Sequence, residues 1–228
     1  AEIAASAPPR ANARSLSEDR AMLQSVAQRL ARAAQPFCRA ELGRDCAFRI
    51  ALVEAREANA YASGRDDIAV TTGMMRLLAN EDELAAVVAH EMAHHIAGHI
   101  AEGTLRTQAG AMAGSLIGAV AGGVLRETLG VDVGLSRLGA QAGATAGRLT
   151  YSKTDEREAD YLGAHIMARA GFDLERGGGL WAKLTALSGH ERTALLDTHP
   201  AGPERLAAWR RTAEEIRANP EAPPRRDR

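Results

Sequence analysis

No run of 18 or more strongly apolar residues occurs in the 228-residue chain, so no transmembrane helix is expected. Aromatic residues make up 4%, too little stacking surface for single-stranded nucleic acid. Neither charge sign dominates. The 28 basic side chains meet 29 acidic ones, for a net charge of −1, and no basic face is left for a phosphate backbone. Nucleic acid is therefore excluded as a partner. Cysteine is limited to Cys38 and Cys46, with no Cys-x-x-Cys pair, which argues against thiolate zinc ligation. The two lie around an expected helix-to-strand turn. There they either close a short disulfide loop in an oxidising compartment or stay as buried thiols. The start at Ala1 shows no basic and apolar leader. A targeting segment already removed is one reading of that start, and a trimmed chain is the other.

What is present describes a globular domain: 46% hydrophobic and 25% charged residues are ordinary for one folded unit of this length. Pro8, Pro9, Pro220, Pro223 and Pro224 fall in small-residue or charged stretches at the two ends. Residues 1–14 and 218–228 are expected to be disordered tails around a single domain at 15–217. Leu16, Leu23, Val26 and Leu30 predict an amphipathic helix from Ser15 to about Ala34. Phe48, Ile50 and Leu52 alternate as in a strand. Asn59–Ser63 and Ile68–Thr72 are further strands joined by a Gly64-Arg65-Asp66-Asp67 turn. Asn80 with Glu83 three residues on opens a helix to about Gly98. More helices are expected over 102–126, 132–149, 153–170, 174–188 and 203–217. The class is α+β, mainly helical, with a small antiparallel sheet.

Residues 103–147 hold half of the chain's 22 glycines. Gly110, Gly114, Gly118 and Gly122 share one helical face, as do Gly139, Gly143 and Gly147. Glycine costs a helix about 1 kcal/mol against alanine, so close packing must compensate. One reading is a helical hairpin whose glycine faces meet. The other is a surface for a membrane, a partner or self-association.

His90-Glu91-Met92-Ala93-His94 is an HExxH pattern inside the helix opened by Asn80. Residues four apart share a helix face, so both imidazoles reach one zinc ion. Glu91, offset by about 100°, is placed to take a proton from a water activated there. The pattern also arises by chance, so the third ligand decides. A same-chain continuation to Gly and His fails, because Ala97 and Ile100 stand at those positions. His95 and His99 point off the ligand face and are read as surface or packing residues. Glu156 and Asp160 are four apart near the start of a later helix. Glu156 can ligate while Asp160 holds a ligand imidazole through its other nitrogen. The alternative is that these acids only decorate a helix start.

Taken together these residues resemble peptidase family M48, the HtpX-like and CAAX-prenyl-protease-like zinc metallopeptidases with soluble periplasmic members. Asn59-Ala60-Tyr61-Ala62 is similar to the family's edge strand. Asp67 to Met74 resembles the strand and turn before the motif helix. Glu81 to His94 looks like its most distinctive block, and Glu156-Arg157-Glu158-Ala159-Asp160 like its Glu-x-x-Ala-Asp. Thr198-His199-Pro200 with Arg205 resembles its His-Pro…Arg segment. The resemblance implies a zincin-type fold with one zinc per chain on His90, His94 and Glu156, Asp160 behind them, and Glu91 as catalytic residue. It also implies that His199 and Arg205 lie near the metal. There either could stabilise an oxyanion, or His199 could occupy the open zinc position and hold the enzyme latent. Asn59, Ala60 and Tyr61 would bind an extended substrate by backbone hydrogen bonds. The expected activity is endoproteolysis of unfolded or misassembled proteins in quality control. The expected setting is periplasmic or extracytoplasmic, with anchoring through a removed N-terminal segment left open. The rival is a non-catalytic zinc scaffold or chaperone at a membrane surface.

Overall fold

In a computed structural model, which describes residues 14–129, 137, 141, 151–187, 199 and 202–225, Ser15 caps the first helix, α1 (Leu16–Leu42). Ser15 and Glu18 form a reciprocal capping box. Arg14 bonds Asp19 and the carbonyls of Met75 and Leu78, tying the helix start to the chain that leads into the motif helix. The apolar spacing predicts an end near Ala34. The helix instead continues through Pro36 to Gly43, which takes the left-handed conformation (φ 64°). Phe37 and Cys38, both buried, extend its apolar face beyond the proline. Cys38 and Cys46 form a disulfide. The Gln35 amide holds both the N–H and the carbonyl of Cys46.

Three strands follow: β1 (Arg49–Val53), β2 (Ala60–Ser63) and β3 (Asp67–Thr71), in the order β1-β3-β2. The hairpin between β2 and β3 is antiparallel as expected, but β1 pairs with β3 in parallel. The sheet is thus mixed, which corrects the expected antiparallel sheet. The cause lies in residues 54–59, which carry the chain from the end of β1 across the end of β3 to β2. Thr71 Oγ1 donates to the Glu57 and Asn59 carbonyls, Thr72 Oγ1 to that of Ala55, and Gly73 N–H also to Ala55. A Cβ at Gly73 would collide with the Arg56 and Glu57 carbonyls, so glycine makes this crossing possible. Arg44 forms a two-pronged pair with buried Asp66, which also accepts from Ala47 N–H.

A short helix, α2 (Thr72–Leu77), leads to the motif helix α3 (Glu81–Ile96). Asn80 accepts from Glu83 N–H, as its position predicts. Every residue from Asp82 to Ile96 is buried. Helix α3 packs against α1, β2, β3 and a later helix, α5 (Lys153–Arg169). Helix α5 starts at a Ser152–Asp155 capping box. A Cβ on Gly163 would lie 3.1 Å from His90 N and 3.2 Å from the Ala89 carbonyl oxygen. Glycine therefore lets α5 approach the α3 backbone beside the first motif histidine. The helix expected over 174–188 is broken at Gly178 into α6 (Leu174–Gly177) and α7 (Gly179–Leu187). The last helix, α8 (Pro203–Ala218), packs on α5, α6 and α7. Residues 219–225 lie in the stretch expected as a tail. There Arg225 N–H donates to Tyr161 Oη.

The chain divides into two units, residues 1–97 with 151–228, and residues 98–150. In the second, α4 (His99–Leu129) is one helix of 31 residues. It contains the first arm of the expected glycine-rich hairpin, while of the helix expected over 132–149 only residues 137 and 141 are described, both helical.

Candidate metal centre

Helix α3 projects His90 and His94 from one face, and their Nε2 atoms are 3.1 Å apart. Glu156, in the first turn of α5, brings Oε1 to 3.4 Å from His94 Nε2 and Oε2 to 3.6 Å from His90 Nε2. His199 Nδ1 completes the group, 3.2 Å from His90 Nε2 and 2.8 Å from Glu156 Oε1. All four residues are buried, and their ligand atoms lie within 4.8 Å of one another. Donors held about 2.0–2.2 Å from a tetrahedral zinc ion stand roughly 3.3–3.6 Å apart. The observed spacings bracket that range. Two imidazoles, a third from a distant segment and one carboxylate are also the donor chemistry that zinc takes.

For His94 and Glu156 the protonation states agree, whereas at His199 burial is outweighed by Glu91 and Glu156, which raise the imidazole above its ordinary pKa. Burial holds the His94 imidazole well below its ordinary pKa, so the ring is uncharged at neutral pH. Burial works against the Glu156 carboxylate. His90, hydrogen bonds with His199 and His94, and Arg205 outweigh it and hold Glu156 below the usual carboxylate range. A neutral imidazole and an ionised carboxylate are the ligand forms of these groups.

Around the donors stands a supporting layer. Asp160 Oδ1 is 2.9 Å from His90 Nδ1, the nitrogen turned away from the cluster. The contact is close, though its geometry is not that of a hydrogen bond. Arg205 gives Nε and one terminal nitrogen to Asp160, at 2.8 and 2.7 Å, and its other terminal nitrogen lies 2.6 Å from Glu156 Oε2. Burial also opposes ionisation of Asp160, yet the Arg205 guanidinium and His90 keep it below its usual value. Glu91 differs from these groups. It is 1% exposed, and neither carboxylate oxygen has a hydrogen-bond partner among the described residues. Its nearest charged neighbour is His199, whose Nε2 lies 3.6 Å from Oε1.

Two aromatic residues here escape sequence reasoning. The Tyr151 ring stacks on His94 at 3.8 Å between centroids and lies 4.9 Å from His199. Trp181 meets the edge of His90 at 5.5 Å and carries the Arg205 guanidinium over its face at 4.2 Å. Their only sequence signal was scarcity, in a chain with 3 Tyr and 2 Trp. His95, read as a packing residue, lies with Nε2 3.0 Å from the Asp67 carbonyl oxygen and packs near Phe48. Asn59, Ala60 and Tyr61 are not part of the cluster. They lie at the start of edge strand β2, with Ala60 buried and Tyr61 41% exposed.

A histidine pair four apart on a buried helix, a glutamate from the next helix of the same unit and a small sheet beside them define a zincin-like metallopeptidase domain. The chain belongs to peptidase family M48, whose model matches residues 17–213. It is 30% identical over 178 residues to the beta-barrel assembly-enhancing protease of Yersinia pestis, covering 77% of this chain and 36% of that protein. It is also 30% identical over 173 residues to the protein of the same name from Escherichia coli K12, covering 75% and 35%. The match thus spans about a third of each relative's length.

Proposed function

We propose that the protein is a zinc-dependent endopeptidase that cuts unfolded or misassembled polypeptides, with one zinc ion per chain held by His90, His94 and Glu156. The observation that carries this reading is the Glu91 carboxylate, buried without a hydrogen bond among the described residues beside four converging donors. Bound zinc would polarise the scissile carbonyl and bring the pKa of a water to about 7. Glu91 would receive the proton from the attacking water and pass it to the leaving amine. A scaffold without catalysis leaves that carboxylate with no task, which disfavours the non-catalytic alternative.

His199 fills the place beside the metal ligands that a water would need. Its role in this reading is a removable cap that keeps the resting enzyme latent. Arg205 was expected near a developing oxyanion. Its donors on Asp160 and Glu156 support a different role, as a positioning residue that balances the charge of both carboxylates. Asn59, Ala60 and Tyr61 belong to an edge strand where an extended substrate adds by backbone hydrogen bonds, largely independent of its sequence. The relatives are named for enhancing beta-barrel assembly, which accords with action on misassembled proteins, and an extracytoplasmic compartment suits the Cys38–Cys46 disulfide.

The test is casein cleavage together with bound metal for the wild type, His199→Ala and Glu91→Gln. The expected result is zinc in all three, faster cleavage by His199→Ala and a loss of about 10²- to 10⁴-fold in Glu91→Gln. Zinc retained without cleavage by either the wild type or His199→Ala would sink the enzymatic reading.

A further inference from the structure

The sheet has two edges, and the proteolytic reading uses one of them. The other is the outer edge of β1. In the parallel pairing, Arg49 N–H donates to the Asp66 carbonyl and the register runs Arg49↔Asp67 to Val53↔Thr71. Parallel geometry then turns Arg49, Ala51 and Val53 toward β3 and leaves the N–H and C=O of Ile50 and Leu52 facing outward. No described residue bonds to those four groups. Along the same edge runs a groove of about 450 Å³ between α1 and β1. Its floor is formed by Leu23, Ala27 and Ala31 from α1 and by Phe48, Ile50 and Leu52, and Gln24 and Gln28 form a polar rim. Arg20 and Glu54, 3.6 Å apart, close one end.

We infer that this edge and groove form a docking site for an extended polypeptide segment with apolar side chains at alternate positions. The occupant follows from the two features together. Outward backbone groups two residues apart repeat about every 6.6 Å, the period of an extended chain. A lipid has no matching row of donors and acceptors, and a helix has already used its own backbone groups. A strand added to β1 sends every second side chain to one face, where the apolar floor lies. Natural edge strands are commonly protected by proline, lysine or a covering loop. Among its five residues β1 has neither proline nor lysine. This site goes beyond the proteolytic reading and stands even if that reading fails.

Hydrogen exchange by NMR on the zinc-loaded Glu91→Gln protein tests it, with a fluorescein-labelled octapeptide of alternating threonine and valine as the probe. The expected result is slowing of tenfold or more at the Ile50 and Leu52 amides, with Arg49, Ala51 and Val53 unchanged. Ala31→Arg, which fills the groove from the helix side, should weaken probe binding by tenfold or more, read by fluorescence anisotropy. Leu52→Pro should do the same by removing one outward N–H, a substitution an edge strand tolerates. Should Leu52→Pro fail to fold, Ala31→Arg alone carries the test. Protection confined to 60–63, with Ile50 and Leu52 unaltered, overturns the inference while leaving the substrate strand intact. Protection of Ile50 and Leu52 that rises with protein concentration and needs no peptide overturns it in favour of self-pairing. Protection by the probe in a zinc-loaded protein that cleaves casein neither as wild type nor as His199→Ala upholds this site and removes the protease.

Discussion

Helix α3 buries Asp82, Glu83, His90, Glu91, His94 and His95, whereas α4, which begins three residues after α3 ends, exposes Leu105, Met112, Leu116, Ile117 and Val120 at 65–71%. Taking charged groups out of water is costly unless they are paired. On α3 nearly all of them are. Asp82 accepts from Asp173 N–H and pairs with Arg176, Glu83 pairs with Lys183 at 2.6 Å, and the histidines meet each other, Glu156 or a backbone carbonyl. Glu91 is the most loosely held: neither oxygen has a hydrogen bond among the described residues and its ion-pair contact is His199 Nε2 at 3.6 Å, which suits a group available for chemistry. On α4, Leu105, Met112, Leu116 and Val120 fall on one side of the helix. Their exposure there makes a contiguous apolar surface rather than isolated residues. Both helices are rich in alanine and aliphatic residues, but α4 carries six glycines and α3 none, and burial separates them further.

The largest effect expected on the α3 side is catalytic. Glu91→Gln should lower casein cleavage about 10²- to 10⁴-fold, the range of general acid–base catalysis, with zinc content and melting temperature unchanged. Cleavage within threefold of the wild type would mean that the free carboxylate is not the base.

Next comes the network behind the ligands. Arg205→Met leaves Asp160 and Glu156 buried without their counter-ion and should cost about 3–5 kcal/mol of stability, measured by urea unfolding. Arg205→Lys should recover part of it. A loss below about 1 kcal/mol would place the guanidinium outside the network.

The comparison sharpens with one residue type in both settings. Met92 on α3 is 0% exposed and Met112 on α4 is 69% exposed. Met92→Ala should cost about 2–5 kcal/mol, and Met112→Ala should stay within about 0.5 kcal/mol. Equal losses would show that the α4 face is covered in solution.

The smallest effect concerns pH. Burial works against the Asp66 carboxylate, but Arg44 and Ala47 N–H outweigh it and hold its pKa below the ordinary value. A depressed carboxylate contributes stability above its unfolded pKa of about 3.9 and loses it as pH falls through the folded value. Asp66→Asn should therefore cost about 1.5–3 kcal/mol near neutrality. The gap from wild type should hold down to about pH 5 and close below about pH 4. A gap that widens in acid would reverse the assignment.

Local rules were readable in the amino-acid sequence. The Asn80 cap, the four-residue spacing of His90 and His94, and the shared face of Glu156 and Asp160 depend only on helix geometry, and each appears as expected. Long-range placement was less readable. The turn at 64–67 announces the β2–β3 hairpin, but nothing within β1 says that it runs parallel to β3. That depends on a crossing that only Gly73 and the Thr71 and Thr72 hydroxyls permit. The part played by Tyr151 and Trp181 depends on where three helices bring their rings. Arg205 was legible, through family resemblance, as lying near the donor cluster. Its grip on Asp160 was not, because a guanidinium's partner is set by tertiary distance.

The central claim is a four-donor zinc site whose fourth donor is removable. X-ray absorption at the zinc edge, on protein purified without added chelator, tests it most directly. The wild type should show a shell of three imidazole nitrogens and one carboxylate oxygen. In His199→Ala one imidazole should be lost and one light oxygen scatterer gained. A shell unchanged by His199→Ala, or a wild type that retains no zinc, would contradict it.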